Sequence, residues 1–254
     1  DVIVNIDNAV KWGFAWEIGV FETWDALGFQ YVCERMKKDG LKLPPIAEAM
    51  QKAGAESFYK IVNGKACFFD LGSKSYKQVP QNANEVTLAS IKESKGIVKG
   101  NEFCSLIDLG DGILCCEFHT KMNVIDGFLL EIVKHGVDLV NEGKFEGMVI
   151  GNQAPHFCAG ANLMLILGEI MQEHWDAVER AVDVFQKTNM AMRFCRGPVV
   201  AAPHHYTFGG GIEMTQHTAR AVVAGETYGG LVEAGVGVIP AGGGCKELMV
   251  RLTE

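Results

Sequence analysis

Apolar and polar positions divide the chain into a helical first part and a second part in which strands alternate with helices. Up to about residue 60, apolar residues recur three and four positions apart, which is the spacing of one helix face. Two β-favouring runs on either side of Asn63–Gly64 predict a short hairpin. The polar, lysine- and serine-rich segment 73–97 predicts a linker. The pattern therefore predicts a helical domain over residues 1–72 and a second domain over residues 98–254.

The second domain begins with the order strand, strand, helix, strand. Two short apolar runs flank the turn "GDG", and the segment after them places Leu129, Ile132 and Val133 on one helical face. A further short strand is predicted at "GPVVAAP". Because short apolar strands between helices form a layered core, the predicted fold class is an α/β core preceded by a small all-α domain.

Composition narrows the classes of partner and compartment. The formal net charge of −8 disfavours a nucleic-acid partner, which is normally bound by a basic surface. No apolar run reaches the ~18 residues of a membrane span, and the N-terminus lacks the order of a signal peptide. The eight cysteines form no CxxC pair, so we expect reduced, mostly buried thiols. These features predict a cytoplasmic protein with no nucleic-acid partner and no membrane span.

Two loops of the second domain share one design, in which a short strand leads through small residues into a helix. They are "MVIGNQAPHFCAGANLMLI" and "VVAAPHHYTFGGGIEM". Small residues let a ligand approach the main chain, and a helix start presents free N–H groups at the positive end of the helix dipole. Together the loops can supply one N–H each to a single oxygen, as an oxyanion hole requires. A tight turn without a ligand explains either loop alone equally well.

Four motifs in order carry a resemblance to a known family: "FCAGANL", "GPVVAA", "FGGGIEM" and "YGGLVEAGVGVIPAGGG". Over about residues 98–254, their order and spacing resemble the crotonase, or enoyl-CoA hydratase/isomerase, family. The resemblance implies a crotonase-like core of the ββα type. It also implies that Ala161 and Gly210 donate the two N–H groups of an oxyanion hole.

The same resemblance implies two catalytic glutamates, Glu213 and Glu233. Adding water across a double bond conjugated to a thioester needs a base for the water and an acid for the α carbon. The resemblance further places Ala159, Gly160 and Lys121 at the coenzyme A and substrate site. Each side chain also has a plainer explanation, because Glu213 suits a helix N-terminus and Glu233 and Lys121 suit an exposed surface.

Two places depart from the family pattern. Asn162 stands where the family usually has an acid, and His204 and His205 replace an Asn-Gly pair, which changes the acyl pocket and the second loop. Adjacent histidines on a strand point to opposite sides, so we expect ordinary packing or solvent exposure there. The prediction is that the chain has no metal site.

A second resemblance covers about residues 1–70. The segment "IDNAVKWGFAWEIGVFETWDALG" is similar to the C-terminal helical domain of 3-hydroxyacyl-CoA dehydrogenases, with Gly19-Val20-Phe21 at the turn between two helices. It implies a parent chain with an NAD-dependent dehydrogenase domain. No glycine fingerprint for NAD is present in the sequence, so this chain is not expected to bind NAD. The start at Asp1 and the end at Glu254 suggest a fragment whose crotonase domain is C-terminally incomplete.

Together the resemblances imply a multifunctional enzyme of fatty-acid β-oxidation, both a lyase and an oxidoreductase. The crotonase domain would hydrate 2-enoyl-CoA without a cofactor, and the parent dehydrogenase domain would oxidise the 3-hydroxyacyl-CoA with NAD. The expected partners are acyl-CoA thioesters, the parent dehydrogenase domains and, in a homo-oligomer, further copies of the chain. Two alternatives stay open: an enoyl-CoA isomerase, for which one carboxylate suffices, and a catalytically silent acyl-CoA-binding or assembly module.

Overall fold

The computed structural model describes residues 2–62, 65–80 and 86–253. The chain divides into two units, Asp1–Val86 and Thr87–Glu254, and each unit has its own hydrophobic core. The boundary falls inside the segment predicted as a linker. The two ends of that segment belong to different units, as the elements below show.

Unit 1 combines helices with a small antiparallel sheet. Its described elements are α1 (Ile3–Phe14), α2 (Val20–Leu27), α3 (Phe29–Lys38), α4 (Pro45–Lys52), β1 (Tyr59–Val62), β2 (Lys65–Asp70) and β3 (Ser75–Gln78). Strands β1 and β2 pair antiparallel as the predicted hairpin requires, while its turn at Asn63–Gly64 lies outside the described residues. Strand β3 pairs with β2 although its sequence was predicted as linker. The unit is therefore not all-α, because Phe68 and Phe69 of β2 complete its core.

The turn between α1 and α2 is held by Asp7, which is almost fully buried. Its carboxylate accepts the N–H groups of Phe21 at 2.9 Å and Glu22 at 3.2 Å, which are donors of the first turn of α2. A Cβ at Gly19 would lie 2.2 Å from Asp7 Cγ, so a side chain cannot stand there without displacing the aspartate. The Gly-Val-Phe turn is thus fixed by a carboxylate from the preceding helix.

Unit 2 is built on two sheets. Its described strands are β4 (Lys99–Gly100), β5 (Cys104–Gly110), β6 (Ile113–Phe118), β7 (Gly147–Ile150), β8 (Val199–Ala201), β9 (Tyr206–Phe208), β10 (Arg220–Ala221) and β11 (Tyr228–Gly230). Its described helices are α5 (Leu88–Lys95), α6 (Gly127–Asn141), α7 (Leu163–Met171), α8 (Trp175–Arg193), α9 (Gly210–Gln216) and α10 (Gly244–Arg251). The larger sheet has the order β10-β8-β7-β6-β5-β4, and β11 pairs with β9. The predicted order strand, strand, helix, strand is confirmed from β5 to β7.

Helix α6 packs on the larger sheet. Leu129, Ile132 and Val133 are buried in one cluster with Leu106 of β5 and Leu114 of β6. The helical face predicted from the sequence is thus confirmed. Asp126 caps the N-terminus of α6, because its carboxylate accepts the Leu129 N–H at 2.9 Å.

Helix α5 also belongs to unit 2. Leu88 is buried with Ile107 and Cys115, and Ile91 packs against them. The prediction of a linker over 73–97 is therefore wrong at this end. The apolar positions of α5 are too few, within a polar segment, to stand out as a helical pattern.

Two predictions from composition meet the structure directly. All eight cysteines are free, and all but Cys195 and Cys245 are buried, as expected of reduced structural thiols. Within the described ranges, no helix has the length and apolar character needed to cross a bilayer.

Candidate active site

The two small-residue loops meet in unit 2. The first loop joins β7 to α7, and the second runs from β8 through β9 to α9. Cys158 and Thr207 form a parallel bridge, and the Phe208 N–H donates to the Cys158 carbonyl at 2.9 Å. At Gly160, which has φ +96°, a Cβ would lie 3.4 Å from the Gly210 nitrogen. The loops predicted to share one site are therefore in contact.

The main chain leaves the two predicted oxyanion donors available. Ile125 donates its N–H to the Gly160 carbonyl at 2.8 Å and accepts the Asn162 N–H at 2.9 Å. The N–H of Ala161, between them, therefore points away from Ile125. Gly210 is the first residue of α9, so its N–H has no acceptor within that helix. The role of this pair as an oxyanion hole stays a prediction.

The pairing of β11 with β9 in the two-stranded sheet places Glu233 beside the second loop. Strand β11 pairs in parallel with β9, with Tyr228 opposite Tyr206, and the short helical turn Glu233–Val236 follows β11. A Cβ at Gly209 would lie 3.1 Å from Glu233 Oε1. The other oxygen, Oε2, is buried and has no hydrogen-bond partner among the described residues. A buried carboxylate oxygen without a partner is costly, so it is a candidate for contact with a ligand or water.

Glu213 projects from α9 and is only 2% exposed. Its N–H donates to the Gly209 carbonyl at 3.0 Å, and its Oε1 accepts the Gly244 N–H at 3.0 Å. Burial raises the pKa of the Glu213 carboxyl group, and the charge of Glu233 adds to this effect. The N–H groups of Gly242–Gly244 act in the opposite direction. The Glu213 carboxyl group is thus subject to the Glu233 charge and to the N–H groups of the turn before α10.

The predicted coenzyme A residues lie on neighbouring segments. Lys121 is exposed in the short helical turn Lys121–Asn123. The Ala159 N–H donates to the Met122 carbonyl at 3.1 Å, which ties the first loop to this turn. Gly160 contacts the second loop, as described above. The structure therefore brings Ala159 and Gly160 close to the contact between the two loops, and it places Lys121 in the exposed turn whose Met122 carbonyl accepts the Ala159 N–H.

The histidine pair differs from the prediction. His204 and His205 do not lie on a strand, and His205 has a left-handed backbone with φ 47°. Their Nδ1 atoms are 3.2 Å apart and their rings are nearly perpendicular, so the two side chains lie next to each other rather than on opposite sides. Across the part of the chain that the structure describes, no group of three or more His, Cys, Asp or Glu side chains has the arrangement of a metal site.

Sequence reasoning missed the contribution of α8 to this site. The Asn189 side chain donates from Nδ2 to the Gly242 carbonyl at 3.0 Å, and Gln186 donates from Nε2 to the Ala241 carbonyl at 2.6 Å. Asn189 lies four residues after the buried Phe185, on the same helix face. The amide at a buried position of α8 is the feature of the sequence that could have indicated this contact.

Comparisons with known proteins agree with the fold. No protein-family model matches the chain. A Bacillus subtilis (strain 168) protein named "Probable 3-hydroxyacyl-CoA dehydrogenase" is 42% identical over 251 residues, which cover 99% of this chain and 31% of that protein. A Rickettsia felis protein named "Putative fatty acid oxidation complex trifunctional enzyme" is 25% identical over 252 residues, covering 99% and 32%. The chain thus spans about a third of the length of these relatives.

A solved structure identifies the architecture. The enoyl-CoA hydratase of Bacillus anthracis superposes with a TM-score of 0.52 at 23% identity, covering 57% of this chain and 56% of that one. At this identity the likeness shows the fold alone. The chain therefore contains the crotonase fold of enoyl-CoA hydratases, in agreement with the ββα order of unit 2.

Proposed function

We propose that unit 2 is an enoyl-CoA hydratase domain, a lyase of fatty-acid β-oxidation. The observation that carries the proposal is that Glu233 contacts the Gly209 turn that begins α9, while the buried Glu213 projects from the first turn of the same helix and is influenced by the Glu233 charge. Glu233 places Oε1 beside Gly209, and its other oxygen, Oε2, is buried with no hydrogen-bond partner among the described residues. Glu233 adjoins the contact between the two loops, where the Ala161 and Gly210 N–H groups would bind a thioester oxygen, and Glu213 is carried by the helix that Gly210 begins.

Water addition uses these groups without any cofactor. One carboxylate takes a proton from water as the water oxygen bonds to the β carbon of the 2-enoyl thioester. The double-bond electrons move to the α carbon and the thioester oxygen, where the two N–H groups stabilise the enolate charge. The other carboxyl group then gives its proton to the α carbon. One acid gains a proton and the other loses one, so the proton count of the site is unchanged.

The electrostatics of the pair suit this exchange. Burial and the neighbouring Glu233 charge both oppose ionisation of Glu213. A raised pKa favours the protonated form of Glu213, which can give a proton to the α carbon.

The binding of coenzyme A is assigned to the segments around the first loop. In this proposal Ala159 and Gly160 line the path of the thioester arm, and the exposed ammonium group of Lys121 attracts the phosphates. Because the Ala159 N–H is already donated to Met122, its remaining main-chain group for a ligand is the carbonyl. The substrate class is therefore an acyl-CoA thioester.

The names of the relatives support a wider proposal for the parent chain. One relative is named as a 3-hydroxyacyl-CoA dehydrogenase and another as a trifunctional enzyme of a fatty acid oxidation complex. We propose that the parent also carries an NAD-dependent 3-hydroxyacyl-CoA dehydrogenase domain, which oxidises the product of hydration. Unit 1 would then be the helical end of that dehydrogenase, here with a three-stranded sheet added.

The test is hydration of crotonyl-CoA, followed by the loss of absorbance of the conjugated thioester. Glu213→Gln and Glu233→Gln should each lower kcat by roughly two to four orders of magnitude, the contribution of general acid-base catalysis, with little change in coenzyme A affinity. Glu226→Gln, at an exposed acid in the loop before β11, is the control and should hydrate crotonyl-CoA at the rate of the unmutated protein.

The alternatives give different results in the same experiment. An isomerase would tolerate loss of one glutamate and would move the double bond of a 3-enoyl-CoA. A catalytically silent binding module would bind coenzyme A thioesters, and neither the unmutated protein nor any variant would hydrate them. Near-parent hydration by either glutamine variant would remove that residue from the mechanism.

A further inference from the structure

The Glu213 carboxylate rests against a turn of main chain at Gly242–Gly244. The Gly244 N–H donates to Oε1 at 3.0 Å, and a Cβ at Gly242 would lie 2.5 Å from Oε2. The turn therefore approaches both oxygens of the carboxylate, at a distance that only glycine permits. The N–H groups of the turn favour the ionised form of Glu213 against the effect of burial.

This turn is held from the opposite side by α8. Asn189 donates to the Gly242 carbonyl at 3.0 Å, and Gln186 donates to the Ala241 carbonyl at 2.6 Å. The two side chains are three residues apart and therefore share a helix face. Helix α8 thus binds the carbonyls of the two peptide groups whose N–H groups belong to Gly242 and Gly243, and both N–H groups favour the ionised form of Glu213.

Asn189 is an energetically unfavourable side chain at its position in α8. It is fully buried, and its Oδ1 has no hydrogen-bond partner among the described residues. A buried polar atom without a partner costs free energy that an aliphatic side chain of similar size would not. Packing alone therefore does not account for an amide here, whereas its bond to Gly242 does.

A separate contact secures α10. Glu247, fully buried, pairs with Arg193 of α8 and accepts from Arg251 at 3.2 Å. The Arg193 pair joins α10, whose first residue is Gly244, to α8 without using Asn189, while the Arg251 contact lies within α10. Loss of the Asn189 amide should therefore release the turn before α10 and leave the helix in place.

We propose that Asn189 is a positioning residue for Glu213: through the Gly242 carbonyl it aligns the N–H groups of the glycine turn with the Glu213 carboxylate. This inference rests on the proposed catalytic role of Glu213. Asn189 touches no reacting atom, and its effect is to set how readily Glu213 binds and releases a proton. The proton affinity of Glu213 thereby depends on an amide in a different helix.

Asn189→Leu tests the inference, because it removes the donor without changing the charge. The charged or titratable groups facing Glu213 are Glu233 and His217, whose Nδ1 lies 2.6 Å from the Glu213 carbonyl, and neither is altered. The measurement is the pKa of Glu213 by isotope-edited infrared titration of carbon-13 glutamate-labelled protein, with the Glu213→Gln spectrum subtracted. We expect a rise of about one unit, the scale of one hydrogen bond to a charged group.

The matched control is Asn123→Leu. Asn123 is also buried and donates from Nδ2 to a loop carbonyl, that of His156, at 2.8 Å. Asn123→Leu should lose at least as much stability, because Asn123 has a left-handed backbone with φ 52° that leucine tolerates poorly, but only Asn189→Leu should raise the pKa of Glu213. In the hydration assay, the pH profile of kcat should move with that pKa in Asn189→Leu, while KM changes less than about twofold.

The outcomes separate the two proposals. If folded Asn189→Leu titrates Glu213 as the parent does, or lowers its pKa, the positioning role is wrong even where hydration is observed. If the unmutated protein does not hydrate crotonyl-CoA, the proposed function fails, and the infrared titration still decides the role of Asn189. Should Asn189→Leu not fold, Asn189→Ala removes the same donor without added bulk, and the same rise is expected.

Discussion

Replacing Gly210 with alanine perturbs one proposed oxyanion donor by a defined amount. The added Cβ would lie 3.2 Å from Ile125 Cδ1 and 3.2 Å from Phe185 Cζ, closer than ordinary van der Waals contact. The methyl group therefore points into the core and not toward a ligand. To relieve the contacts, either these two side chains or the start of α9 must give by a few tenths of an ångström, and any movement of α9 carries the Gly210 N–H with it.

The size of the effect follows from these contacts. Overpacking of this kind costs about 1–3 kcal/mol of stability. Removing an oxyanion donor outright lowers kcat roughly 10²–10³-fold, since the donor must lie about 2.7–3.1 Å from the developing charge. A shifted donor is weakened rather than lost, so we expect kcat for crotonyl-CoA hydration to fall at least about tenfold. Ground-state binding should change less than kcat.

The assay compares Gly210→Ala with Gly136→Ala. Gly136 is also a buried helical glycine, and its Cβ would lie 2.6 Å from Met148 Sδ and 3.1 Å from Leu106 Cδ2, on α6 and away from the loop junction. Circular dichroism and urea unfolding report the stability cost of each variant, and steady-state kinetics report kcat. Both should lose stability, but only Gly210→Ala should lose kcat.

One result would refute this reasoning. If Gly210→Ala folds, shows the expected loss of stability and still hydrates crotonyl-CoA within about twofold of the parent rate, the position of this N–H does not matter to the reaction. Gly210 would then be only the start of a helix. An equal loss of kcat in Gly136→Ala would instead assign the effect to general loosening of the core.

Three further predictions follow from individual contacts. Gly209→Ala should destabilise the fold by about 1–3 kcal/mol and lower kcat, since its φ is +49° and its Cβ would press on Glu233 Oε1; urea unfolding and kinetics check both. The raised pKa of Glu213 means that its stability contribution is present at low pH and lost as pH rises through the folded-state pKa, so Glu213→Gln should gain stability relative to the unmutated protein as the pH rises above about 4, the usual pKa of a glutamate, measured by urea unfolding. Gly19→Ala should cost unit 1 about 3 kcal/mol or more, because its Cβ meets Asp7 Cγ; a matching urea midpoint in parent and variant would contradict this.

The sequence alone determined the elements whose apolar pattern is strong. Helix α6 presents Leu129, Ile132 and Val133 to the core as their spacing predicts, and the short apolar runs became β5 to β8. The two glycine-containing loops could also be located, because small residues between a strand and a helix are a local feature. Periodicity reports burial along one element, so elements that bury few apolar residues were missed. Strand β3 and helix α5, in the polar segment, are examples.

Only the tertiary structure decided how distant segments combine. That Glu233 lies beside Gly209 depends on the parallel pairing of β11 with β9, and no local pattern in the sequence encodes that register. The contact of Asn189 with Gly242 joins residues that are 53 positions apart, through the orientation of α8. The left-handed backbone of His205 likewise turned two adjacent rings toward each other, where alternation along a strand predicts the opposite. The sequence therefore determined which chemical groups the site contains, while the packing between elements determined their distances, since each distance depends on the positions of several elements at once.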